Sequence, residues 1–431
     1  MSSLSAPGLP EEQIRERARH GPSAVFPPAD SYGTTLFGAS PGGSGDALDR
    51  ARLVPPVFMP LRLEKLIELG REPLHDDVDL RTRIGGFSSS VPVFLSAFGS
   101  TSAGSGDLAI AASRQAARLG IPMVIGENMV PVHGYRRGGA ASPLLARIGA
   151  YIAGSGDGGD RRGGVVVQQS TEDADSEVWN LVYSDPATGP LLDSGRLAFE
   201  LKIGQGAKPG LGGMTVLGSD DAERLAGRFA VRDVLDAGHR LRCATPGTFT
   251  AEIVRQQLRF MRNNFPKARI WVKFHPGRDI ADAAEAAWSA GADAVTVDGA
   301  EGGTGWAPLG FLDGVGLPLA ECLRRIGPPT GCLLVTGRMW EGGRVVRGLA
   351  LGATAAGLGR AALLAVDEDP HAGLVRLVDS LALECRLLIS ALGKYRPDAL
   401  TPEDVWWPDA PPHRTAAPGV LPAAARIGGQ V

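Results

Sequence analysis

Residues 197–214 combine amine and amide side chains with five glycines, a composition suited to holding a ligand. Apolar residues at every second position predict a strand over 197–203. Lys202, Gln205 and Lys208 lie at or just beyond its end, among glycines that let backbone N–H groups approach an anionic or flat ligand. Glycine runs are also common in exposed turns, so residue types alone leave open a surface loop with two solvated lysines.

This stretch is far more specific as a whole string than as separate residues. Residues 200–210 read Glu-Leu-Lys-Ile-Gly-Gln-Gly-Ala-Lys-Pro-Gly, which resembles the E-[IL]-K-x-x-Q-G-A-K-P-G signature of the FMN-binding domain of glutamate synthases. Stand-alone relatives, such as the large subunit of N-methylglutamate synthase, carry a similar domain. The resemblance covers roughly residues 25–407 and is strongest over 197–364. It implies an α/β fold, a (β/α)8 TIM barrel with FMN at its C-terminal mouth.

Size and composition suit one large α/β barrel with extensions. The chain has 431 residues, of which 44% are hydrophobic, so a sizeable core can form. A net charge of −3 gives no electrostatic basis for binding nucleic acid or an anionic membrane. Without an apolar run of about 18 residues or a signal peptide, we expect a cytoplasmic protein that does not span a membrane.

The four cysteines are scattered singly, which is typical of reduced thiols rather than of a metal centre. Glutamate synthases hold a [3Fe-4S] cluster with three closely spaced cysteines beyond the eighth strand, and residues 363–383 contain no cysteine. No Cys-x-x-Cys pair indicates a zinc or cluster site elsewhere. We therefore expect no metal, and no glutaminase half, because no cysteine follows Met1.

Strand and helix signals alternate from residue 91 onward, which predicts a parallel sheet with helical crossovers. Eight strands close a barrel of this kind. The candidate strands are 91–99, 122–127, 164–170, 197–203, 268–274, 294–299, 332–337 and 355–359. The candidate helices are 10–20, 61–70, 107–119, 250–265, 280–290, 344–351 and 375–392.

We divide the chain into an N-terminal cap over 1–90, the FMN-binding barrel over 91–397 and a C-terminal tail over 398–431. The cap has too few apolar residues for a core of its own, so we expect it to wrap over the barrel. The segment 219–246 is an insertion after the fourth strand without a clear pattern. The end of the proline-rich tail is expected to be disordered.

Two loops fall where barrels of this type commonly bind phosphate, after the seventh and eighth strands. Helices begin after both loops, which favours a phosphate dianion. Gly337 and Gly359 match the family patterns, whereas Arg338 replaces a glycine and Arg360 replaces a threonine. We interpret the four residues as an arginine-assisted site for the FMN phosphate. Tight turns with exposed arginines are the alternative.

Lys273 ends the fifth predicted strand in a Trp-Val-Lys-Phe string that matches the V-K position of the family. The resemblance implies that this lysine stabilises the negative charge of reduced FMN. A buried lysine is costly unless it meets an anion. The alternative is a lysine that reaches solvent at the barrel rim.

Other strand ends match the family only in part. The S-x-R-[FY]-G motif that follows the third strand in relatives is absent here. The resemblance nevertheless assigns cofactor contacts to five further residues, which are Ser96, Ala97, Gln168, Gly302 and Gly303.

Catalytic and substrate roles fall on residues at the same end of the barrel. Glu127 retains the acidic position after the second strand and is a candidate proton carrier. Lys202 and Gln205 would bind and polarise the substrate, with Lys208 as a second cation. Arg278 could clamp a substrate carboxylate, although a solvated arginine is the more frequent case.

Alternation along the fourth strand indicates which side chains enter the barrel. Phe199, Leu201 and Ile203 share the face that suits the surrounding helices, so Glu200 and Lys202 should point into the lumen. Lys202 then needs an anion at the mouth, and a substrate carboxylate or keto oxygen would serve. A structural ion pair with Glu200 is the alternative.

We predict an FMN-dependent oxidoreductase acting on a carbon–nitrogen centre of an amino-acid-like or keto-acid-like substrate, by imine reduction or amine oxidation. One alternative is transfer of an amine or N-alkyl group onto glutamate within a complex like N-methylglutamate synthase. Another is a non-catalytic flavin-binding scaffold subunit. An electron-donor or partner subunit and a homo-oligomer both remain open.

Overall fold

The computed structural model describes residues 4–27, 45–98, 106–127, 143–155, 162–170, 177–227, 229–235, 238–304 and 306–408. Eight parallel strands form a closed barrel in which each strand pairs with the next along the chain and the last pairs with the first. They are β1 (Val93–Phe98), β2 (Met123–Ile125), β3 (Val165–Gln169), β4 (Leu197–Lys202), β5 (Arg269–Phe274), β6 (Ala294–Asp298), β7 (Leu333–Thr336) and β8 (Ala355–Leu358). The predicted (β/α)8 class and all eight strand positions are confirmed.

Helices surround the barrel, and the predicted ones are found within two residues of their expected bounds. Before β1 they are Glu11–His20, Ala47–Arg50 and Pro60–Leu69. Between β1 and β5 they are Gly106–Leu119, Pro143–Gly154, Val178–Ser184, Gly189–Asp193, Ser219–Leu225 and Ala251–Asn264. After β5 they are Ile280–Ser289, Leu309–Gly314, Leu319–Ile326, Gly342–Ala350, Arg360–Glu368 and Gly373–Ala391. The described residues include no helix long and apolar enough to cross a membrane.

The lower part of the barrel interior is apolar and closed by a hairpin. Strands Thr82–Ile84 and Phe87–Ser89 form this hairpin, which packs on inward side chains such as Phe94. The indole Nε1 of Trp271 donates a hydrogen bond to the carbonyl of Gly85 at 3.0 Å. The apolar plug leaves the polar inward residues to the upper part, at the carboxyl ends of the strands.

The two faces of β4 are used as alternation predicts. Phe199 lies on the helix side, where its ring stacks on Trp179 at a centroid distance of 5.7 Å. Glu200 lies inside, where it accepts hydrogen bonds from side chains on β3 and β6. The inward orientation of Glu200, and of Lys202 two residues later, is therefore confirmed.

The N-terminal segment is attached to the barrel at several points. Helix Glu11–His20 packs against Arg360–Glu368 and Gly373–Ala391, the last two helices of the barrel. Strand Arg52–Leu53 pairs antiparallel with Val405–Trp406. The predicted disordered end of the tail lies outside the described residues, and the three domain boundaries remain predictions.

The insertion after β4 forms a small antiparallel sheet. Its strands are Met214–Leu217, Ala230–Arg232 and Arg240–Cys243, with Arg240–Cys243 in the centre. Sequence reasoning found no pattern here, because the strands are short and partly exposed on both faces.

Gly85→Ala should destabilise the protein strongly, because the barrel plug has no room for a methyl group. Gly85 has φ 53°, and an added Cβ would lie 2.3 Å from the Trp271 indole. Overpacking and left-handed strain together should cost about 2–4 kcal/mol of unfolding free energy in urea titrations. Gly70→Ala is the control, since Gly70 has φ 65° with no heavy atom within 4 Å of the added Cβ. Equal losses in the two variants would contradict the role of the plug.

Candidate active site

The ends of β2 and β4 bring three predicted site residues into direct contact. The Lys202 ammonium forms an ion pair with Glu127 and donates a hydrogen bond to Gln205 Oε1 at 2.8 Å. Only 11% of the Lys202 side chain and 15% of the Glu127 side chain is exposed. The partner of Lys202 is therefore Glu127, across the mouth, and not its strand neighbour Glu200.

Lys208 extends the same cluster from the glycine-rich loop. Its ammonium donates to the carbonyl of Trp306 at 3.1 Å, and the residue is buried. Burial and the neighbouring charge of Lys202 lower the pKa of Lys208 to about 8. Gln205 also reaches the loop after β6, where its Nε2 lies 3.3 Å from Thr304 Oγ1.

A buried carboxylate, Asp298 at the end of β6, holds several of these parts together. It forms an ion pair with Lys273 at 3.2 Å and accepts hydrogen bonds from the Gly206 amide at 2.9 Å and from Thr336 Oγ1 at 2.6 Å. Burial opposes the charge of Lys273, but its acidic neighbours, Asp298 foremost, outweigh this effect, so the pKa of Lys273 is raised. The lysine is buried against an anion of the protein itself and does not extend to solvent at the rim.

Both arginines of the predicted phosphate loops contact the N-terminal segment. Arg338 forms an ion pair with Asp49 and donates to the carbonyl of Gly8 at 2.8 Å. Arg360 donates to the carbonyls of Pro7 and Glu301 at 3.3 and 2.8 Å. These partners belong to the protein, so phosphate binding by the arginines remains a prediction.

The backbone at the β7 loop keeps the conformation expected of the family pattern. Gly337 has φ 133° and Arg338 has φ 57°, which is the left-handed region that glycine favours. The position where relatives carry glycine thus retains a glycine-like backbone with an arginine side chain. Non-glycine residues with positive φ concentrate at ligand sites, so the geometry is consistent with a functional loop.

A second ion cluster beneath this loop was missed by sequence reasoning. Arg344 is fully buried, with Nη1 2.7 Å from Asp46 and 2.6 Å from Asp49, and it donates to the carbonyl of Gly337 at 3.0 Å. The Glu301 carboxylate lies 4.0 Å from Arg344 and accepts from the Leu319 amide at 3.0 Å. No local signal could identify this cluster, because Asp46 and Asp49 are 298 and 295 residues from Arg344 in sequence.

The remaining predicted residues divide between the mouth and the surface. Ser96 and Gln168 are buried at the ends of β1 and β3, and Ala97 packs against the interior cluster of the barrel. Arg278 is exposed, and its carbonyl accepts a hydrogen bond from Arg325 at 2.8 Å. It therefore lies outside the buried cluster, as the solvated-arginine alternative expects.

Gly302 and Gly303 lie too close to neighbouring side chains of the protein for any residue with a Cβ to replace them without a shift. A Cβ on Gly302 would lie 2.4 Å from Asp298 Oδ1, and one on Gly303 would lie 2.9 Å from the Arg360 side chain. Direct contact of these glycines with a cofactor remains a prediction.

The residues at the mouth fit a flavin nucleotide. Glu127 Oε2 is buried without a hydrogen-bond partner in the described part of the chain, so one acceptor of the cluster is available to a ligand. Next to Gly359 there is open space, since an added Cβ would meet no heavy atom within 4 Å. Helix Arg360–Glu368 begins at that point, where the partial positive charge of a helix N-terminus favours a phosphate.

The (β/α)8 architecture is shared with solved structures. The structure is similar to the flavin-binding domain of baker's yeast flavocytochrome b2, with a TM-score of 0.53 and 18% sequence identity over 83% of this chain and 76% of that one. At this level of identity the similarity establishes the fold.

Sequence comparison finds a region that the chain shares with glutamate synthases. Residues 191–368 match the conserved region in glutamate synthase. The chain is 31% identical over 257 residues to a glutamate synthase large subunit-like protein of Rhizobium meliloti, which covers 56% of each protein. It is also 31% identical over 186 residues to an archaeal-type NADPH glutamate synthase of Dehalococcoides mccartyi, covering 41% of this chain and 36% of that one.

These matches confirm the predicted resemblance to glutamate synthases over residues 191–368 and support FMN as the cofactor. The similarity extends over about half or less of the length of these two relatives.

Glu301→Gln should change how stability depends on pH. Burial and the charge of Asp46 raise the pKa of Glu301 to about 7, so the folded state binds a proton that the unfolded state has lost. Wild-type stability contributed by this proton is present below about pH 4.5 and is lost as pH rises through about 7. Between pH 5 and pH 8, the difference in unfolding free energy between wild type and Glu301→Gln should change by about 2–3 kcal/mol.

Glu321→Gln is the matched control for this urea titration, because Glu321 forms a half-exposed i,i+4 pair with Arg325. Such a pair is worth at most about 0.5 kcal/mol. The assignment would be wrong if Glu301→Gln followed the wild-type pH profile.

Proposed function

We propose that the chain is an FMN-dependent oxidoreductase that acts on a carbon–nitrogen centre of an amino-acid-like or keto-acid-like substrate. The contact of Lys202 with Glu127 and Gln205 at the barrel mouth carries this proposal, since it places a cation, a carboxylate and an amide together. The cluster centres on the residues that match the glutamate synthase region.

Each member of the cluster has a role that follows from its chemistry. The Lys202 ammonium binds a substrate carboxylate or the oxygen of a keto group. Glu127 holds or receives a proton at Oε2, the buried oxygen that has no partner in the described residues. Gln205 fixes the position of the ammonium by accepting one of its hydrogen bonds. Lys208, whose pKa is lowered to about 8, adds a second cation for an anionic substrate.

The cofactor would be held by residues at the ends of six strands. They are Ser96, Ala97, Gln168, Lys273, Gly302, Gly303, Gly337, Arg338, Gly359 and Arg360. FMN supplies, when bound, the two-electron oxidation or reduction of the carbon–nitrogen bond. The polar lumen below the mouth is sealed by the apolar plug around Trp271, which excludes water from that end.

Two other functions give different results in the same experiment. The purified chain would be mixed anaerobically with candidate amino acids, or with keto acids, amines and NADPH or NADH, while flavin absorbance is followed. Flavin reduction or reoxidation by the chain alone supports the proposal. Turnover only after addition of a partner subunit would favour amine or N-alkyl transfer in a complex. A flavin that never turns over would favour a scaffold.

We expect the purified chain to carry one FMN and no iron. The expectation rests on the family match and on the missing cysteine run beyond β8. Absorbance of the released flavin and metal analysis measure the two quantities. Stoichiometric iron and sulfide, or FAD in place of FMN, would contradict the assignment.

Lys202→Ala should lower turnover by about 2–4 kcal/mol of transition-state stabilisation, because a charged hydrogen bond to the substrate is lost. The variant should retain FMN, measured by absorbance after gel filtration. If Lys202 serves only the fold, stranding Glu127 should instead cost about 3–5 kcal/mol of unfolding free energy with turnover retained per folded molecule.

Two further variants make the Lys202 experiment decisive. Lys202→Ala with Glu127→Gln removes the stranded carboxylate, so the unfolding free energy should return toward the wild-type value if the loss in Lys202→Ala came from an unpaired Glu127. Lys267→Ala is the surface control, since Lys267 is 65% exposed and 3.7 Å from Asp193. Undiminished turnover in a folded, flavin-loaded Lys202→Ala would contradict the substrate role.

A further inference from the structure

Glu200 is a fully buried carboxyl group that forms no ion pair within the described residues. It is 1% exposed in the centre of the barrel. Its hydrogen-bond partners are two neutral groups, Gln168 Nε2 at 2.5 Å and Thr296 Oγ1 at 3.0 Å. Within the described residues, no lysine or arginine nitrogen lies within the 4.0 Å of an ion pair. An ionised carboxylate in such surroundings would be costly.

The two lysines that enter the lumen beside Glu200 have other carboxylates as their ion-pair partners. Lys202 and Lys273 are register partners on β4 and β5, and both side chains enter the lumen. Lys202 pairs with Glu127 and Lys273 pairs with Asp298. Glu200 therefore has no ion-pair partner of its own among the described residues, and a proton on its carboxyl group removes the cost of burying the charge.

The side chains of Glu200 and Gln168 are 2.5 Å apart, and they can form a hydrogen bond in either of two directions. The oxygen and nitrogen of a glutamine amide are exchanged by a simple flip. With the amide flipped, a protonated Glu200 donates to Gln168 Oε1, and the N–H2 group of Gln168 points away from Glu200.

We propose that Glu200 is a neutral carboxylic acid that positions Gln168, so that the amide N–H2 group of Gln168 is directed away from Glu200 and available to FMN. Glu200 is then a positioning residue, acting through the glutamine that the family resemblance places near the flavin. The role in cofactor binding rests on the proposed FMN site, whereas the proton on Glu200 rests only on the geometry of the lumen.

The direction of the Glu200 pKa agrees with this assignment. Burial raises the pKa of Glu200, and this effect exceeds the opposing charges of Lys273 and Lys202 and the hydrogen bonds from Gln168 and Thr296. Asp298 and Glu127 each face one of these lysines, and the third buried lysine of the mouth, Lys208, donates to the carbonyl of Trp306. Because the pKa is raised on folding, stability from this proton should fall as pH rises from the unfolded pKa through the folded pKa.

Infrared spectroscopy tests the proton directly. At pH 7 the wild-type chain should show the C=O stretch of a protonated carboxylic acid, and Glu200→Gln should lack it. Absence of this difference band would overturn the proposal. The measurement needs neither FMN nor turnover, so it is independent of the proposed function.

Two substitutions at position 200 test the positioning role. Glu200→Gln keeps a neutral donor to Gln168 Oε1, so the FMN dissociation constant in fluorescence titrations should stay within about 2-fold of wild type. Glu200→Leu removes the donor and should weaken FMN binding by about 10-fold, the effect of one hydrogen bond. Equal weakening in the two variants would overturn the role of the hydrogen bond.

Asp298→Asn is the matched control for an ionised carboxylate of the same lumen, because it leaves Lys273 unpaired. It should lower the urea midpoint, whereas Glu200→Gln should not. A midpoint lowered equally in both would show that Glu200 is ionised and would overturn the proposal. An infrared band lost in Glu200→Gln, in a chain that binds no FMN, would contradict the proposed function while establishing the proton on Glu200.

Discussion

The buried carboxylate of Asp298 is the interaction on which the mouth of the barrel depends. It joins β6 to Lys273 on β5, to Thr336 on β7 and to the Gly206 amide in the loop after β4. A charge at this depth must be compensated, so Lys273, Thr336 and the Gly206 amide must stay within contact of Asp298. The contact with Gly206 fixes the position of the loop that carries the signature residues.

The glycines of the signature loops have a structural purpose that follows from this carboxylate. A Cβ on Gly206 would lie 2.0 Å from the carbonyl of Gly299, and one on Gly302 would lie 2.4 Å from Asp298. The loops after β4 and β6 can therefore approach each other only because both positions lack side chains. From the sequence alone we interpret these glycines as a binding loop for a ligand. In the structure they also allow the two loops to pack against each other.

The N-terminal segment connects the site to a distant part of the chain. Arg338 and Arg344 bind Asp49 from the β7 loop and the helix after it, and Arg360 binds the carbonyl of Pro7. Residues that precede the barrel therefore stabilise part of the conformation of the loops that are expected to hold phosphate. This dependence explains how an arginine can occupy the left-handed backbone of position 338, since its side chain is anchored on both Asp49 and Gly8.

Local sequence determined the barrel and most of its site. The eight strands, the inward face of β4 and the signature over 200–210 follow from alternation and a contiguous string, which a single segment contains. Tertiary structure alone decided the partners: Glu127 for Lys202, Asp298 for Lys273, and Asp46 with Asp49 for Arg344. Closure of the barrel, and the contact of the N-terminal segment with it, bring these charges together from positions that are 25 to about 300 residues apart. Pairs separated by so many residues produce no periodic pattern or fixed spacing in the sequence, so sequence analysis cannot identify them.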